Sequence, residues 1–433
     1  MSPEDGEAVK IHRRDLLSAS GLFLLVATCA FGQAEPKTPE APLLAALQKN
    51  RLPLTMSDRG PAGAGWDWLV QEARAARFTL IGEEHGVTET AQFSTALFSA
   101  LRESGYSRMA VELSPVIAED IETAARRNGF QGIVDFLNAP GTFTFYNLRE
   151  EAQFLADVIH AGPRSERILW GFDREIFSDR YLISKLEARV PRDARPPFTR
   201  LKEASTNAWA RYEQTKNPDD MFLLAEDPAL VSAIWAAWPH PDRESDAVLR
   251  TLEESLAIET AERTQGLWPY MQRRTQWNRD NLAALLREEE GHKAPPKVMM
   301  KFGYAHMIRG ANYFNTFDLG AMADEVAALT GDRAFHILVL PGPGSKQAVP
   351  GPNSSFVPVS SDEFDEFKAG DQRITRVLSN ANATGHEVID LRALRPLAMR
   401  GLERWNPDLV RTIFGYDAAV IWKGAHASTS LKP

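Results

Sequence analysis

Short runs of consecutive apolar residues alternate along this chain with longer stretches in which apolar positions recur every three to four residues. Residues 78–81, 109–111, 167–172, 297–302, 336–340, 387–391 and 418–422 have the length and the flanking polar or glycine positions of buried strands. Residues 66–76, 88–104, 117–127, 133–137, 150–161 and 318–329 carry the helical period between them. Strands and helices in alternation predict an α/β fold, a mostly parallel central sheet flanked by helices.

Three stretches break that rhythm. Residues 35–65 are rich in Pro and Ala with one short helical piece, and read as a linker or strap ahead of a single catalytic domain over 66–433. Residues 178–290 show few β-branched runs and many helix faces, interrupted at Pro191, Pro196-Pro197, Pro218 and Pro239, which predicts a large helical insertion. Residues 341–370 are full of Pro, Gly and Ser. A segment of that length and composition is expected to be a flexible loop, and its origin at a strand end makes it a candidate lid bringing Phe356, Val357 and Phe364 toward a site.

With 433 residues, 44% of them hydrophobic, the chain can bury a large core. A net charge of −9 and the lack of any basic stripe exclude a nucleic-acid surface and favour a small-molecule substrate. Residues 1–34 read as a twin-arginine export signal, with Arg13-Arg14 ahead of a mildly apolar run and Gly32-Gln33-Ala34 as a cleavage site. That run is too short for a stable membrane span, so a periplasmic or secreted location is expected. Cys29, the one cysteine, offers the alternative of a lipid anchor, since 26–29 loosely resemble a lipobox.

The chemistry gathers where the predicted strands end. Phe78–Ile81 runs into Gly82 and then Glu83, Glu84 and His85; residues 109–111 end in Glu112; 167–172 end in Asp173; 297–302 lead to Tyr304 and His306. In parallel α/β sheets the carboxyl edge is where ligands bind, because its loops carry the polar groups that buried strands cannot. Carboxylates around two imidazoles suit general-base catalysis, in which a carboxylate fixes the tautomer and the other ring nitrogen takes a proton from water. The same residue types can also ligate a divalent metal. His160, His240, His292, His336, His386 and His426 lack this context and read as surface or structural. There is no G-x-S-x-G elbow, no H-E-x-x-H and no phosphate-binding loop.

The same stretches resemble the erythromycin-esterase family and its wider superfamily, which includes ChaN-type haem-binding lipoproteins and TraB-like proteins. The resemblance is carried by Gly82-Glu83-Glu84-His85-Gly86 with Glu89 four positions beyond the histidine, by Ala110-Val111-Glu112 and by Gly171-Phe172-Asp173. It continues in Asn278-Arg279-Asp280-Asn281-Leu282 and in Gly303-Tyr304-Ala305-His306-Met307-Ile308-Arg309-Gly310. It implies an α/β hydrolase cleaving an ester or related acyl bond, with His85 as the base and Glu112 orienting it. His306 and Glu84 would complete the catalytic set. Glu83, Glu89, Asp173, Arg279 and Tyr304 would line the substrate. Which of Glu83 and Glu84 is the family's acid stays open. No cofactor is required in this reading. The alternatives are a haem carrier using Tyr304, His306 or His85 as axial ligands, and a metal-dependent peptidase.

Overall fold

All seven apolar runs are strands, and two more join them from the segment expected to be a linker or strap. The computed structural model describes residues 41–290, 295–342, 344–347, 358–360, 377–378, 385–401 and 405–431. Arg13, Arg14, Cys29 and His292 lie outside that range, as do Phe356, Val357 and Phe364 of the expected lid. The strands are β1 (Arg51–Ser57), β2 (Gly60–Ala62), β3 (Phe78–Glu83), β4 (Tyr106–Val111), β5 (Leu169–Gly171), β6 (Lys297–Gly303), β7 (Ala334–Pro341), β8 (Ser345–Gln347), β9 (Pro358–Ser360), β10 (His386–Asp390) and β11 (Ala418–Trp422).

Nine of them form one sheet in the order β2-β1-β10-β11-β7-β3-β6-β4-β5. From β11 to β5 every neighbouring pair is parallel, while β10 and β1 add antiparallel at one side and β2 closes a hairpin with β1. Of the two expectations for this stretch, linker or strap, its described part has the form of a strap along the sheet: Leu54 is buried, and the backbone of 51–54 pairs with 386–389. The Pro and Ala that suggested a tether are compatible with a short strand near the sheet's edge.

The sheet's pleat assigns its residues to two cores. Phe78, Leu80, Ala110, Met300, Phe302 and Leu338 face one, shared with the helices Leu319–Leu329 and Pro407–Gly415. Ile81, Met109, Val111, Met299 and Val339 face the other, shared with the helices Thr88–Leu101, Pro115–Leu137 and Arg149–Ala161. The helix 115–137 changes direction at Asn128 and Gly129, where Gly129 takes φ +57°, so the two predicted helices appear as one broken one. The stretch 178–290 is helical throughout its main elements, with helices Asp179–Glu187, Arg195–Thr215, Ala229–Ala237, Arg243–Gln265 and Leu267–Glu288. Among the described residues no helix is long and apolar enough to cross a membrane.

Candidate active site

At the end of β3 the chain must leave a buried strand while carrying charge, and Gly86 makes the turn possible with φ +80°. Its carbonyl accepts hydrogen bonds from Gln347 N at 2.8 Å and Ser428 N at 3.0 Å. A Cβ on Gly86 would sit 2.3 Å from the Gln347 carbonyl oxygen, so any other residue would push these strands away. β8, whose partner is β9, and the C-terminal segment around Ser428 thus pin the loop that bears His85.

The His85 ring lies across the sheet edge between two carboxylates. Nδ1 is 2.9 Å from Glu83 Oε1, Nε2 is 3.4 Å from Glu112 Oε2, and Phe145 covers the ring with centroids 4.7 Å apart. Gly303, the last residue of β6, makes room: a Cβ there would lie 3.3 Å from His85 Nε2 and 3.4 Å from Glu112 Oε2. Its backbone N–H instead donates to Glu112 Oε2 at 2.7 Å.

Each carboxylate is backed by a buried cation on its own face of the sheet. On the face of Ile81 and Met299, Lys301 Nζ donates to Glu83 Oε1 at 2.6 Å and to both oxygens of Glu151 at 3.0 and 2.9 Å. On the face of Ala110 and Phe302, Arg274 Nη2 donates to Glu112 Oε1 at 2.8 Å, and Arg274 grips Asp173 through Nε at 2.9 Å and Nη2 at 2.5 Å. Arg174 continues that chain to Glu259 at 2.6 Å and to the Tyr270 hydroxyl at 2.6 Å. His306 approaches Glu112 Oε1 with Nε2 at 3.6 Å, its Nδ1 held 2.5 Å from Asp318 Oδ2, while Asp318 caps the helix Leu319–Leu329. His85 bridges the two faces, touching Glu83 on one and Glu112 on the other.

Burial and charge then compete for the protons. Burial opposes a charged imidazole, but the Glu112 and Glu83 carboxylates outweigh it and raise His85 to about 10. Burial likewise raises Glu112 and Glu83, and it is overcome in Glu112 by His85, His306 and Arg274 and in Glu83 by Lys301 and His85, so both end below the ordinary carboxylate range. Burial wins at Glu151, which is pushed up despite Lys301. Burial also sends the Tyr146 phenol well above its usual value, aided by Glu151, Glu83 and Glu112. In this resting arrangement His85 is an imidazolium at neutral pH, with about one molecule in a thousand neutral at pH 7.

Of the residues expected from sequence, the structure brings together His85, Glu83, Glu112, Asp173 and His306. Glu84 is not among them. The pleat that points Glu83 toward His85 and Lys301 points its neighbour elsewhere, and Glu84 pairs with Lys346 of β8. Glu89 holds the C-terminal segment, accepting from His426 N at 3.0 Å and meeting His426 Nδ1 at 2.5 Å. Arg279 faces outward, 3.3 Å from the Phe317 carbonyl and 3.5 Å from Glu325. Arg274, five residues earlier and about 140° around the same helix, is the arginine that reaches Glu112 and Asp173. Tyr304 is buried against Tyr313 at 5.4 Å, its carbonyl accepting from the Tyr416 hydroxyl. Lys301, Glu151, Arg274 and Arg174 were not anticipated. A lysine inside the apolar run of β6 was the available signal, since a buried ammonium demands a carboxylate partner.

The same geometry bears on cofactors. Among the described residues no group of three or more His, Cys, Asp or Glu is arranged to hold a metal ion. A dication between Glu83 and Glu112 would also face Lys301 and Arg274, so these residues do not fit one. Of the three side chains named as haem ligands, Tyr304 and His306 are buried, His306 with Nδ1 on Asp318 and Nε2 3.6 Å from Glu112, and His85 lies between Glu83 and Glu112.

No protein-family model and no curated protein matches the chain. Solved structures do. A succinoglycan biosynthesis protein aligns with a TM-score of 0.59 at 12% identity, over 91% of this chain and 100% of its own. A protein from Bacillus cereus aligns with a TM-score of 0.55 at 14% identity over the same shares. A histidine-to-asparagine mutant of erythromycin esterase EreC, in its open conformation, aligns with a TM-score of 0.54 at 13% identity, over 88% of this chain and 100% of its own. At such identities the similarity is one of fold, a distant structural relationship across nearly the whole chain.

Proposed function

We propose that this chain is a hydrolase of an ester or related acyl bond, with His85 as the base that activates water. The observation that carries the reading is the position of the His85 imidazole, held by Glu83 at 2.9 Å and by Glu112 at 3.4 Å at the carboxyl edge of the sheet. His85 is 14% exposed while the Glu83 and Glu112 side chains are 1% and 0% exposed, so of the three the ring is the one that meets the surface, with its Nε2 turned inward toward Glu112. That the same fold carries an erythromycin esterase supports the choice of reaction class.

Glu83 fixes the proton on Nδ1, which leaves Nε2 to act. Its contact to Glu112 is longer than a normal hydrogen bond, so a water admitted at this edge can compete for Nε2. In the reaction Nε2 takes a proton from that water as its oxygen bonds to the acyl carbon. Collapse of the tetrahedral adduct breaks the bond to the leaving alkoxide, and the imidazolium returns the proton to it. Glu83 and Glu112 stabilise the imidazolium between those steps, and Arg274, Asp173 and Lys301 hold the two carboxylates in place. Because His85 titrates near 10, the active neutral form grows with pH, and the rate should climb through the alkaline range. Turnover of a panel of chromogenic esters from pH 6 to 10.5 tests this; a flat or falling profile would remove His85 as the base. We further place the enzyme in the periplasm or outside the cell, on the strength of the Arg13-Arg14 segment. Replacing both arginines with lysine should leave the precursor in the cytoplasm.

A further inference from the structure

The helix Leu267–Glu288 presents a stripe of residues four apart to the sheet: Arg274, Asn278 and Leu282, all buried. Arg274 reaches Glu112 and Asp173, and Leu282 packs with Phe172 and Phe302. Asn281, on the same side, donates to the Phe172 carbonyl at 2.8 Å, which fixes this part of the helix over the end of β5. Asn278 therefore lies on the buried stripe one turn from Arg274, which holds Glu112 and Asp173, and one turn from Leu282. It is 0% exposed, and among the described residues neither Oδ1 nor Nδ2 has a hydrogen-bond partner.

A buried carboxamide with both ends unmet is rare, because each end forgoes a hydrogen bond it had to water. Helix propensity does not call for Asn there, and neither does packing, since Leu or Met would fill the same stripe. The neighbouring charges are already matched, Arg274 against Asp173 and Glu112. What is missing is a neutral group that can donate to Oδ1 and accept from Nδ2.

We infer that Asn278 is a specificity-determining residue that hydrogen-bonds a hydroxyl or carboxamide carried by the substrate. This rests on the hydrolase reading of the site and narrows it, from esters in general to acyl substrates bearing a neutral donor–acceptor group near the scissile bond. The selection works by penalty. A substrate without that group leaves the amide unmet in the complex, and sites built to hydrogen-bond a hydroxyl discriminate strongly against analogues that lack it.

The test uses a matched pair, p-nitrophenyl 3-hydroxybutyrate and p-nitrophenyl butyrate, with wild type, Asn278→Leu and Asn278→Met. Wild type should favour the hydroxy ester by about tenfold or more in kcat/KM, chiefly through KM, and both variants should bring the ratio close to one. Without any substrate, at least one variant should melt higher than wild type, because an unmet amide has been replaced by an apolar group. Lower melting temperatures in both variants would mean that the amide is satisfied in the free protein and would overturn the inference. So would a wild-type ratio near one. If wild type hydrolyses neither ester, the hydrolase reading fails by itself. The inference is then decided by binding: a thermal upshift with the hydroxy ester that the plain ester does not give, and that Asn278→Leu abolishes, supports it, and equal shifts refute it.

Discussion

Glu83→Gln separates the charge of Glu83 from its hydrogen bonds. Glu83 Oε1 receives both Lys301 Nζ at 2.6 Å and His85 Nδ1 at 2.9 Å, while Oε2 is buried with no partner among the described residues. Glutamine can keep its oxygen at the first position and place its NH₂ at the second, so the ring and the lysine retain their contacts. Lys301 keeps a counter-charge in Glu151. What is lost is one negative charge beside the imidazole, and an opposite charge within about 4–6 Å moves a pKa by about 1–3. His85 should therefore fall from about 10 to roughly 7–9. Log kcat/KM of wild type should rise with a slope near one up to about pH 10, and in the mutant it should level off earlier by that interval. The mutant plateau should be lower, since a weaker base transfers the proton less readily and a neutral amide stabilises imidazolium less well. NMR titration of the His85 ring gives the same quantity without a substrate. An alkaline limb and a ring midpoint that do not move would show that Glu83 does not set the ionisation of His85.

Three further outcomes follow from the same contacts. Arg274→Lys should lose activity and be less stable to chemical denaturation, because an ammonium keeps the charge but cannot span Asp173 and Glu112 as the guanidinium does; a stable, active variant would refute the role of that fork. Gly303→Ala brings a methyl within 3.3 Å of His85 Nε2, so ester turnover should fall at least tenfold with little change in melting temperature, and full activity would show that the ring sits elsewhere during the reaction. The folded His85 titrates near 10 against about 6.5 unfolded, so its contribution to stability, at most about 5 kcal/mol, is full below pH 6.5 and is lost as pH rises through 10. Denaturant midpoints measured across that window should decline in wild type and stay nearly level in His85→Asn.

The strands were legible because parallel strands buried on both faces are written as apolar runs, and 78–81, 297–302 and 336–340 announce themselves that way. So were His85, Glu112, Asp173 and His306, each directly or shortly beyond such a run. The roles of Glu83 and Glu84 depended on which face of the pleat each occupies, and a one-residue ambiguity at a strand end inverts that. Arg274 and Arg279 share a helix, and only the packing of its buried stripe selects the former. The strand β1 was hidden by its Pro and Ala, since a strand near the sheet's edge needs neither a long apolar run nor a full set of amide donors. Lys301, Glu151 and Arg174 come from separate parts of the chain and meet only once the sheet order is known.

The central claim is that His85 takes the proton from water, and the most direct measurement compares wild type with His85→Asn on an ester the wild type hydrolyses, at pH 9. Asparagine can still hydrogen-bond Glu83 or Glu112 but cannot act as a base. The account predicts a fall in kcat of about 10²–10⁴, the usual worth of a general base, in a variant whose fold by circular dichroism is that of wild type. Undiminished kcat in a folded His85→Asn protein would contradict it.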